Sequence, residues 1–545
     1  HLLESITSKD RDLVNKSYVD PNPENTLGYT PLIAAIVNTD TVIKKFVPPN
    51  GDTLHFLSGL DENVPKESVP KKTPSGFEWD GITPYPESVN EVRGEVLLDF
   101  LFSYGADPDI PCDNNVPPIV YAMCMGEITE QLHDHLPDVV LNRLGQENSR
   151  AAELVGYLLG HGADPSTMYQ GQTLVELAKA SNDLEMQYHV DLRQNLLPKR
   201  TPAQLETDER QGMKHISYLH HSVIGNFEST KKVQDEIRIR YSKWEKEEIE
   251  GAHNEDIQSP LVLTLSGVHE QGQVALATEL SHILTGGDAS RVYNHDDNIH
   301  NFTDGSESWV YESIIGIGYK DGGPKEGSRL LRHMQRCNRN GESWRNKVNF
   351  VIIKNFQKWL FSEEKTFNVF NEMFQSGKYV NEEDFDDRPL DFSLKYTVFL
   401  LCGNIGEAEL IKVHEKSLEN RFEEMKKKLD EAITAITMGF SETDELKTQV
   451  RRMKRRLCLR AIPFGPLDSG EVDIYIDKNL RDIKIRMIQE LELEDCIFHH
   501  SVKQKMKKSY VAEEGEMSFE TTVEEIKHCL EGSSMIMLVR WWMYG

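Results

Sequence analysis

A glycine-containing loop between an apolar strand and an amphipathic segment is the part of the sequence best suited to bind phosphate. The predicted strand, Pro260 to Leu265, is followed by Gly267 and Gly272 and then by a helical pattern. Such loops bind phosphate because their backbone N–H groups and the N-terminus of the following helix point at the ligand. A lysine then reaches the β- and γ-phosphates, and a Ser or Thr hydroxyl holds magnesium. The spacing therefore predicts a phosphate-binding loop.

The side chains that would give this loop its chemistry are replaced. Gln273 stands where the lysine is needed, and Val274 stands where the hydroxyl is needed. A second predicted strand, Val348 to Ile353, should end in an Asp-Glu pair that binds magnesium and polarises water. It is followed by Lys354 and Asn355 instead. The sequence keeps the outline of a phosphate site without its cation ligands.

A third predicted strand, Tyr396 to Leu401, leads to Asn404, an amide in the place of a γ-phosphate sensor. The Lys354 ammonium would weaken the binding of a metal ion at this site. A cation about 4 Å from the ammonium is repelled by roughly 4 kcal/mol per unit charge. Phosphoryl transfer depends on positioning and electrostatic stabilisation. We therefore expect no ATP hydrolysis, no bound metal and no required cofactor. Nucleotide binding without magnesium is the alternative, since Gly267, Gly272 and Asn404 are kept and the Lys354 ammonium could neutralise a phosphate.

The composition is that of an acidic chain of several domains. The 545 residues include 61 Lys and Arg against 89 Asp and Glu, a formal charge of −28. This balance argues against direct binding to nucleic acid, which depends on neutralising phosphates. A basic partner and a merely solubilising surface both fit it. Seven cysteines without a C-x-x-C spacing indicate neither a disulfide framework nor a zinc site. No apolar run reaches the roughly 20 residues of a transmembrane helix.

A local pattern recurs three times in the first third of the chain. It reads Asp20-Pro21-Asn22, Gly105-Ala106-Asp107-Pro108 and Gly162-Ala163-Asp164-Pro165. A turn of this kind, followed by a helix start such as Gly28-Tyr29-Thr30-Pro31, resembles the ankyrin repeat. The repeats are 87 and 57 residues apart rather than the usual 33, with the excess in Gly51 to Asn90 and Gly126 to Asn148. Such a stack presents a concave surface to a protein partner, or caps its own chain.

Further segments resemble the ATPase module of the ClpB/Hsp100 disaggregases, a clade of AAA+ proteins. His221-Ser-Val-Ile224-Gly225 is similar to the family's adenine-contacting element, and Ile462-Pro-Phe464 to the motif that opens its small C-terminal domain. Ile314 to Gly327 resembles the pore loop, with Tyr319 at the substrate-gripping aromatic. Met517 takes the place of the family's sensor arginine. The order of ankyrin repeats before one ATPase module is similar to the mitochondrial form of the family.

The predicted fold is an α/β P-loop AAA+ module with a small C-terminal domain, preceded by an all-α ankyrin-repeat solenoid. Ankyrin-like repeats with inserted loops are expected over 1–185, and the degenerate AAA+ large domain over 256–465. The small domain is expected over 466–545, and a helical linker that begins the module over 186–255. Within that linker, Lys214 to Trp244 is predicted to be helical and Glu245 to Asn254 to be a polar break.

Three functions are compatible with these residues. The first is an inactive ankyrin and AAA+ scaffold that binds proteins as a subunit of a larger complex. The second is a chaperone-like substrate binder or an inactive partner of an active disaggregase. The third is an enzyme with rerouted ATP chemistry. The resemblance implies a mitochondrial location; without it, the composition indicates a soluble intracellular protein.

Overall fold

The structure is a computed structural model, and it describes most of the chain from residue 151 to residue 511. The described residues are 18–19, 28–29, 46–47, 55–56, 102, 106–111, 116–124, 151–181, 183–197, 201–250, 258–295, 329–337, 343–361, 364–381, 390–416, 420–439, 444–491, 498, 500–511, 518–519 and 522. Contacts between Cα atoms divide the chain into two compact units. Unit 1 is His1–Arg200 with Asp477–Ile497, and unit 2 is Thr201–Ile476 with Phe498–Gly545. The four segments inferred from the sequence stay predictions.

Unit 1 consists of short antiparallel strand pairs and helices. Its elements are β1 Tyr18–Val19, β2 Gly28–Tyr29, β3 Phe46–Val47, β4 His55–Phe56, α1 Pro118–Cys124, α2 Ala151–Gly160, β5 Met168–Tyr169, β6 Gln172–Thr173, α3 Leu174–Ala180 and α4 Leu184–Asp191, followed by a π-helical turn Leu192–Leu196. Helix α2 is almost wholly buried and packs against α1 and α4. Helix α3 begins with a capping box, because Thr173 and Glu176 each bind the other's backbone N–H.

Two of the three predicted repeat turns are in contact in unit 1. The N–H of Asp164 donates to Oδ1 of Asp109 at 2.8 Å, which joins the second turn to the third. The third turn is followed by the β5–β6 hairpin and the helices α3 and α4. The first turn, at Asp20, lies outside the described residues. Equivalent turns from two copies of the pattern therefore lie side by side, although their ankyrin assignment stays a prediction.

Unit 2 is an α/β unit. Its elements are α5 Pro202–Arg210, α6 Leu219–Ser222, α7 Phe227–Glu250, β7 Leu261–Gly267, α8 Gln273–Thr285, β8 Val292–His295, α9 Arg329–Cys337, α10 Trp344–Lys347, β9 Asn349–Ile353, α11 Phe356–Leu360, α12 Glu364–Ser376, β10 Lys378–Asn381, β11 Leu390–Ser393, β12 Thr397–Gly403, α13 Glu407–His414, α14 Arg421–Gly439, α15 Asp444–Leu459, β13 Ala461–Phe464, α16 Ser469–Leu491 and α17 His500–Ser509, with 3₁₀ turns at Ile216–Tyr218 and Ala289–Arg291. The residues of α16 from Asp477 onward belong to unit 1.

Five parallel strands form the sheet of unit 2 in the order β13-β7-β12-β9-β8. The central strands are buried over nearly their whole length and are mostly apolar, because both faces of a parallel sheet are covered by helices. Val262, Val351 and Phe399 pack into the core on one face. Leu263 and Phe350 pack into the core on the other, which also contains a pair of buried tryptophans, Trp244 and Trp344.

Helix α7 extends further than the sequence predicts. The expected polar break begins at Glu245, but the helix continues to Glu250. Its last turns are held by tertiary contacts: Glu247 accepts from Nζ of Lys395 at 2.5 Å, and Glu248 accepts from the N–H of Trp344 at 3.3 Å. The prediction was wrong here because these glutamates are ion-pair and capping partners rather than solvated loop residues.

Among the described helices, none is both long and apolar enough to cross a membrane.

Candidate functional site

The glycine loop lies at the carboxyl end of the sheet, where the strand order reverses. Strand β7 has β13 on one side and β12 on the other, and the chain leaves β7 for the far edge before returning. Ligands of open parallel sheets bind at such a point. Gly267 closes β7 against β13, since a Cβ there would lie 2.1 Å from the carbonyl oxygen of Phe464. Gly272, at φ 88°, begins α8 without a side-chain cap.

A cavity of about 330 Å³ opens at this loop. Eleven residues line it: His269, Glu270, Gly272, Gln273, Val274, Ala275, Lys354, Asn355, Cys402, Gly403 and Asn404. Six predicted site residues are therefore brought together from three strand ends. Gly267 ends β7 directly before the loop and does not line the cavity. Ile224 and Gly225 lie beside the glycine loop and do not line the cavity either. The cavity is at the small end of the usual range for ligand pockets.

The side chain of Gln273 folds back onto the loop instead of reaching into the cavity. Its Nε2 donates to the carbonyl of Val268 at 2.6 Å, and its Oε1 accepts from the N–H of Gln271 at 2.9 Å. The side chain is 4% exposed. In a phosphate loop such an N–H donates to a phosphate oxygen. Here the carboxamide oxygen of Gln273 stands in for that oxygen.

A second backbone donor of the loop is also occupied by the chain itself. The N–H of His269 donates to Oε1 of Glu407, the first residue of α13, at 3.1 Å. A carboxylate beside the loop repels a phosphate and competes for the same donor. Two of the loop's N–H groups are therefore bound to side-chain oxygens of unit 2.

The residues around the cavity do not fit a magnesium ion. Val274 offers no oxygen, and Lys354 places an ammonium at the end of β9, where a carboxylate ligand is required. Glu270 is the one lining residue with a carboxylate. In the described part of the chain, no group of three His, Cys, Asp or Glu side chains is placed to hold a metal. We therefore derive no step through magnesium.

Asn404 is bound within the protein. Its Oδ1 accepts from Nε2 of Gln357, a residue of α11 that follows directly on the Lys354-Asn355 pair. Asn355 adopts a left-handed backbone conformation at φ 48°, which asparagine tolerates better than most residues. The side-chain amide of Asn404, at the predicted sensor position, is thus hydrogen-bonded to α11, the helix that follows β9.

Asn226 joins the predicted adenine-contacting segment to the glycine loop through hydrogen bonds. This residue, at φ 50°, donates through Nδ2 to the carbonyls of Gln271 at 3.2 Å and Gly465 at 3.1 Å. Its Oδ1 accepts from the N–H of Gly465 at 2.9 Å. Ile224 and Gly225 immediately precede it, so the structure places the segment against the glycine loop.

Sequence reasoning missed four side chains of the site: Asn226, Gln357, Cys402 and Glu407. The Sγ of Cys402 donates to the carbonyl of Gln273 at 3.7 Å, at the start of α8. Burial raises the pKa of this thiol to about 12, although the nearby Lys354 opposes the shift. Since a thiolate is the reactive form, Cys402 is chemically inert under ordinary conditions.

We expect Cys402 to resist alkylation in the folded protein. Iodoacetamide at pH 8 should label the half-buried Cys337 well before Cys402, and urea should make the two equal. Peptide mass spectrometry after timed quenching measures both sites in one sample. Rapid labelling of Cys402 without denaturant would contradict the buried position of the thiol.

Tyr319 and Met517, the residues at the predicted pore-loop and sensor positions, lie outside the described residues.

Comparisons with known proteins do not assign a function to this site. No protein-family model matches the chain, and no curated protein matches it. A solved structure, the S. cerevisiae Hsp104-ADP complex, is similar at 13% identity over 76% of this chain, with a TM-score of 0.39. The chain spans 60% of the length of that protein. A similarity of this extent assigns no activity to the chain.

Proposed function

We propose that the chain is a pseudo-ATPase, an AAA+-type module that binds proteins as a structural subunit and does not hydrolyse ATP. One observation carries the proposal: the Gln273 side chain occupies the glycine loop. It satisfies the N–H of Gln271 and the carbonyl of Val268 with a neutral amide. These two backbone groups of the loop are satisfied without a ligand.

The loop occupied by Gln273 is lower in free energy than the loop with a bound nucleotide in this proposal. A phosphate that displaced Gln273 would have to replace both of its hydrogen bonds, and an unmade buried hydrogen bond costs about 1–3 kcal/mol. Among the described residues that line the cavity, Lys354 is the one Lys or Arg that could meet the charge on the phosphates, and Glu270 and Glu407 would oppose binding. Hydrolysis needs more than binding, because the ion that stabilises the developing charge has no ligands here.

Protein binding is the remaining use for a module of this kind. We assign it to unit 1 as an ankyrin-type stack and to unit 2 as the degenerate AAA+ module. The complex to which the chain would belong is mitochondrial in this proposal, in keeping with the sequence resemblance. The second function, an inactive partner of an active disaggregase, differs only in the identity of the attached protein.

Nucleotide binding tests the proposal directly. We expect the unfolding temperature of the full chain to be unchanged by ATP or ADP, with or without magnesium. A ligand at 100 times its Kd would stabilise the protein by about 2.7 kcal/mol, which is easily seen by differential scanning calorimetry. Phosphate release from ATP should equal that of buffer.

A Gln273→Ala variant serves as the internal control for this experiment. It frees the Gln271 N–H and keeps Lys354, so gain of magnesium-independent ADP binding in the variant would tie the wild-type result to the occupied loop. Magnesium-dependent turnover by the wild type, abolished by Gly272→Val, would overturn the proposal.

Partner binding is tested by gentle affinity purification of the full chain followed by native mass measurement. A fixed stoichiometry with non-ATPase proteins supports the structural subunit. Recovery with an active disaggregase supports the second function, and recovery of the chain alone contradicts both.

A further inference from the structure

Helix α15 carries a concentrated positive charge on an acidic protein. Between Leu446 and Leu459 the sequence contains six Lys and Arg residues and no Asp or Glu, whereas the whole chain has a formal charge of −28. Four of these residues, Lys447, Arg451, Arg452 and Arg455, are exposed, and we call the three arginines the basic face. None of the three has an ion pair within the described part of the chain.

The orientation of the helix is set by its apolar side. Val450, Met453 and Leu457 are fully buried in the core of unit 2. The basic face therefore points outward, and it cannot turn toward an internal acid without removing these side chains from the core. Leu459, one turn beyond Arg455, is 55% exposed and adds an apolar spot at the end of the face.

The spacing of these three arginines does not stabilise the helix. Arg455 is four residues from Arg451 and three from Arg452, spacings at which like charges repel. Solubility does not require them, since the chain already has a large charge of the opposite sign. A bound partner with negative charge would remove the repulsion. It would also satisfy the guanidinium groups, which bind carboxylates in pairs of hydrogen bonds.

We propose that the basic face of α15 is a docking site for an acidic amphipathic segment of a protein partner. Carboxylates of that segment bind Arg451, Arg452 and Arg455, and an apolar side chain packs on Leu459. A protein segment fits better than a nucleic acid because the face spans only about one helical turn. An extended polyanion would continue past the face along a chain whose formal charge is −28, and repulsion acts over a Debye length of roughly 8 Å. The inference is independent of the glycine loop.

The test uses the full chain and a fluorescein-labelled peptide of three Glu-Glu-Leu-Glu-Glu repeats at about 150 mM salt. Fluorescence anisotropy should show saturable binding. The R451E/R452E/R455E variant should bind at least about tenfold more weakly, since three attractive pairs become repulsive.

The control variant is K231E/K246E/K412E, which changes the net charge equally at three exposed, scattered lysines. It should bind the peptide within about twofold of wild type, and thermal melts should show that both variants are folded. An equal loss in the two variants, absence of saturable binding by the wild type, or tighter binding of a single-stranded DNA of matched charge would each overturn the proposal. Nucleotide binding by the glycine loop would leave these outcomes unchanged.

Discussion

Gly267→Ala is expected to unfold unit 2 or to lower its free energy of unfolding by about 3 kcal/mol or more. The added Cβ would lie 2.1 Å from the carbonyl oxygen and 2.8 Å from the nitrogen of Phe464. These are backbone atoms of the neighbouring strand, so no side chain can rotate away. Relief requires β13 to separate from β7, which also breaks the 2.9 Å hydrogen bond from Val268 to Phe464. Urea unfolding followed by circular dichroism measures the loss.

Gly439→Ala is the matched control for this substitution. Gly439 ends α14, and a Cβ there would meet no atom within 4 Å. It should leave the urea midpoint unchanged or raise it slightly, because alanine favours helix over glycine. If Gly267→Ala were as stable as Gly439→Ala, the close approach of the two strands would be refuted.

Arg481→Met is expected to destabilise unit 1 by about 3–5 kcal/mol. Nη2 of Arg481 lies 2.5 Å from Oε2 of Glu185 and 3.4 Å from Oε1 of Glu153. The Glu185 side chain is 2% exposed, so the substitution leaves a buried carboxylate without its main counter-charge. Since a methionine fills much of the same space, the loss reports the charge rather than a cavity.

The pH dependence of this variant follows from the carboxyl group of Glu185. Burial raises its pKa, but the hydrogen bond with His189 and the charge of Arg481 outweigh burial and hold the pKa below its ordinary value. A lowered pKa contributes stability above the ordinary value, and that stability is lost as the pH falls toward the folded-state pKa. Arg481→Met removes much of this support, so its stability should decrease far less between pH 7 and pH 3 than that of wild type.

The double variant Glu185→Gln with Arg481→Met separates the two causes. It removes the unpaired charge, so much of the lost stability should return. Thermal melts at pH 7 of wild type, of Glu185→Gln and Arg481→Met singly and of the double variant complete the cycle. A double variant that is as unstable as Arg481→Met would show that packing, and not charge, is responsible.

The three central strands of the sheet in unit 2 were predicted from the sequence, but its two edge strands were not. The apolar runs at 260–265, 348–353 and 396–401 match β7, β9 and β12 closely, because a strand covered on both faces is mostly apolar. Strand β8, with the sequence Val-Tyr-Asn-His, is short and mixed in polarity. Only its pairing with β9 reveals it, and that pairing is not encoded in local periodicity.

The site was predicted in outline because spacing places residues at strand ends. Gln273, Lys354 and Asn404 come from three different strand-to-helix connections, and parallel strands bring such connections to one edge. The hydrogen bonds that occupy the N–H groups of the glycine loop could not be predicted from the spacing of residues at strand ends. Glu407 is 138 residues from His269, and the folding back of Gln273 depends on the carbonyl of Val268 being within reach. Long-range side-chain contacts of this kind leave no pattern in the sequence.

The Gln273 amide has a consequence for how the chain can change over evolutionary time. A Gln273→Lys substitution would remove the acceptor for the N–H of Gln271 while Val274 and Lys354 remained. The intermediate would have a less stable loop and still lack a metal site. Under the proposed function, single substitutions toward a nucleotide-dependent loop are thus unfavourable one at a time.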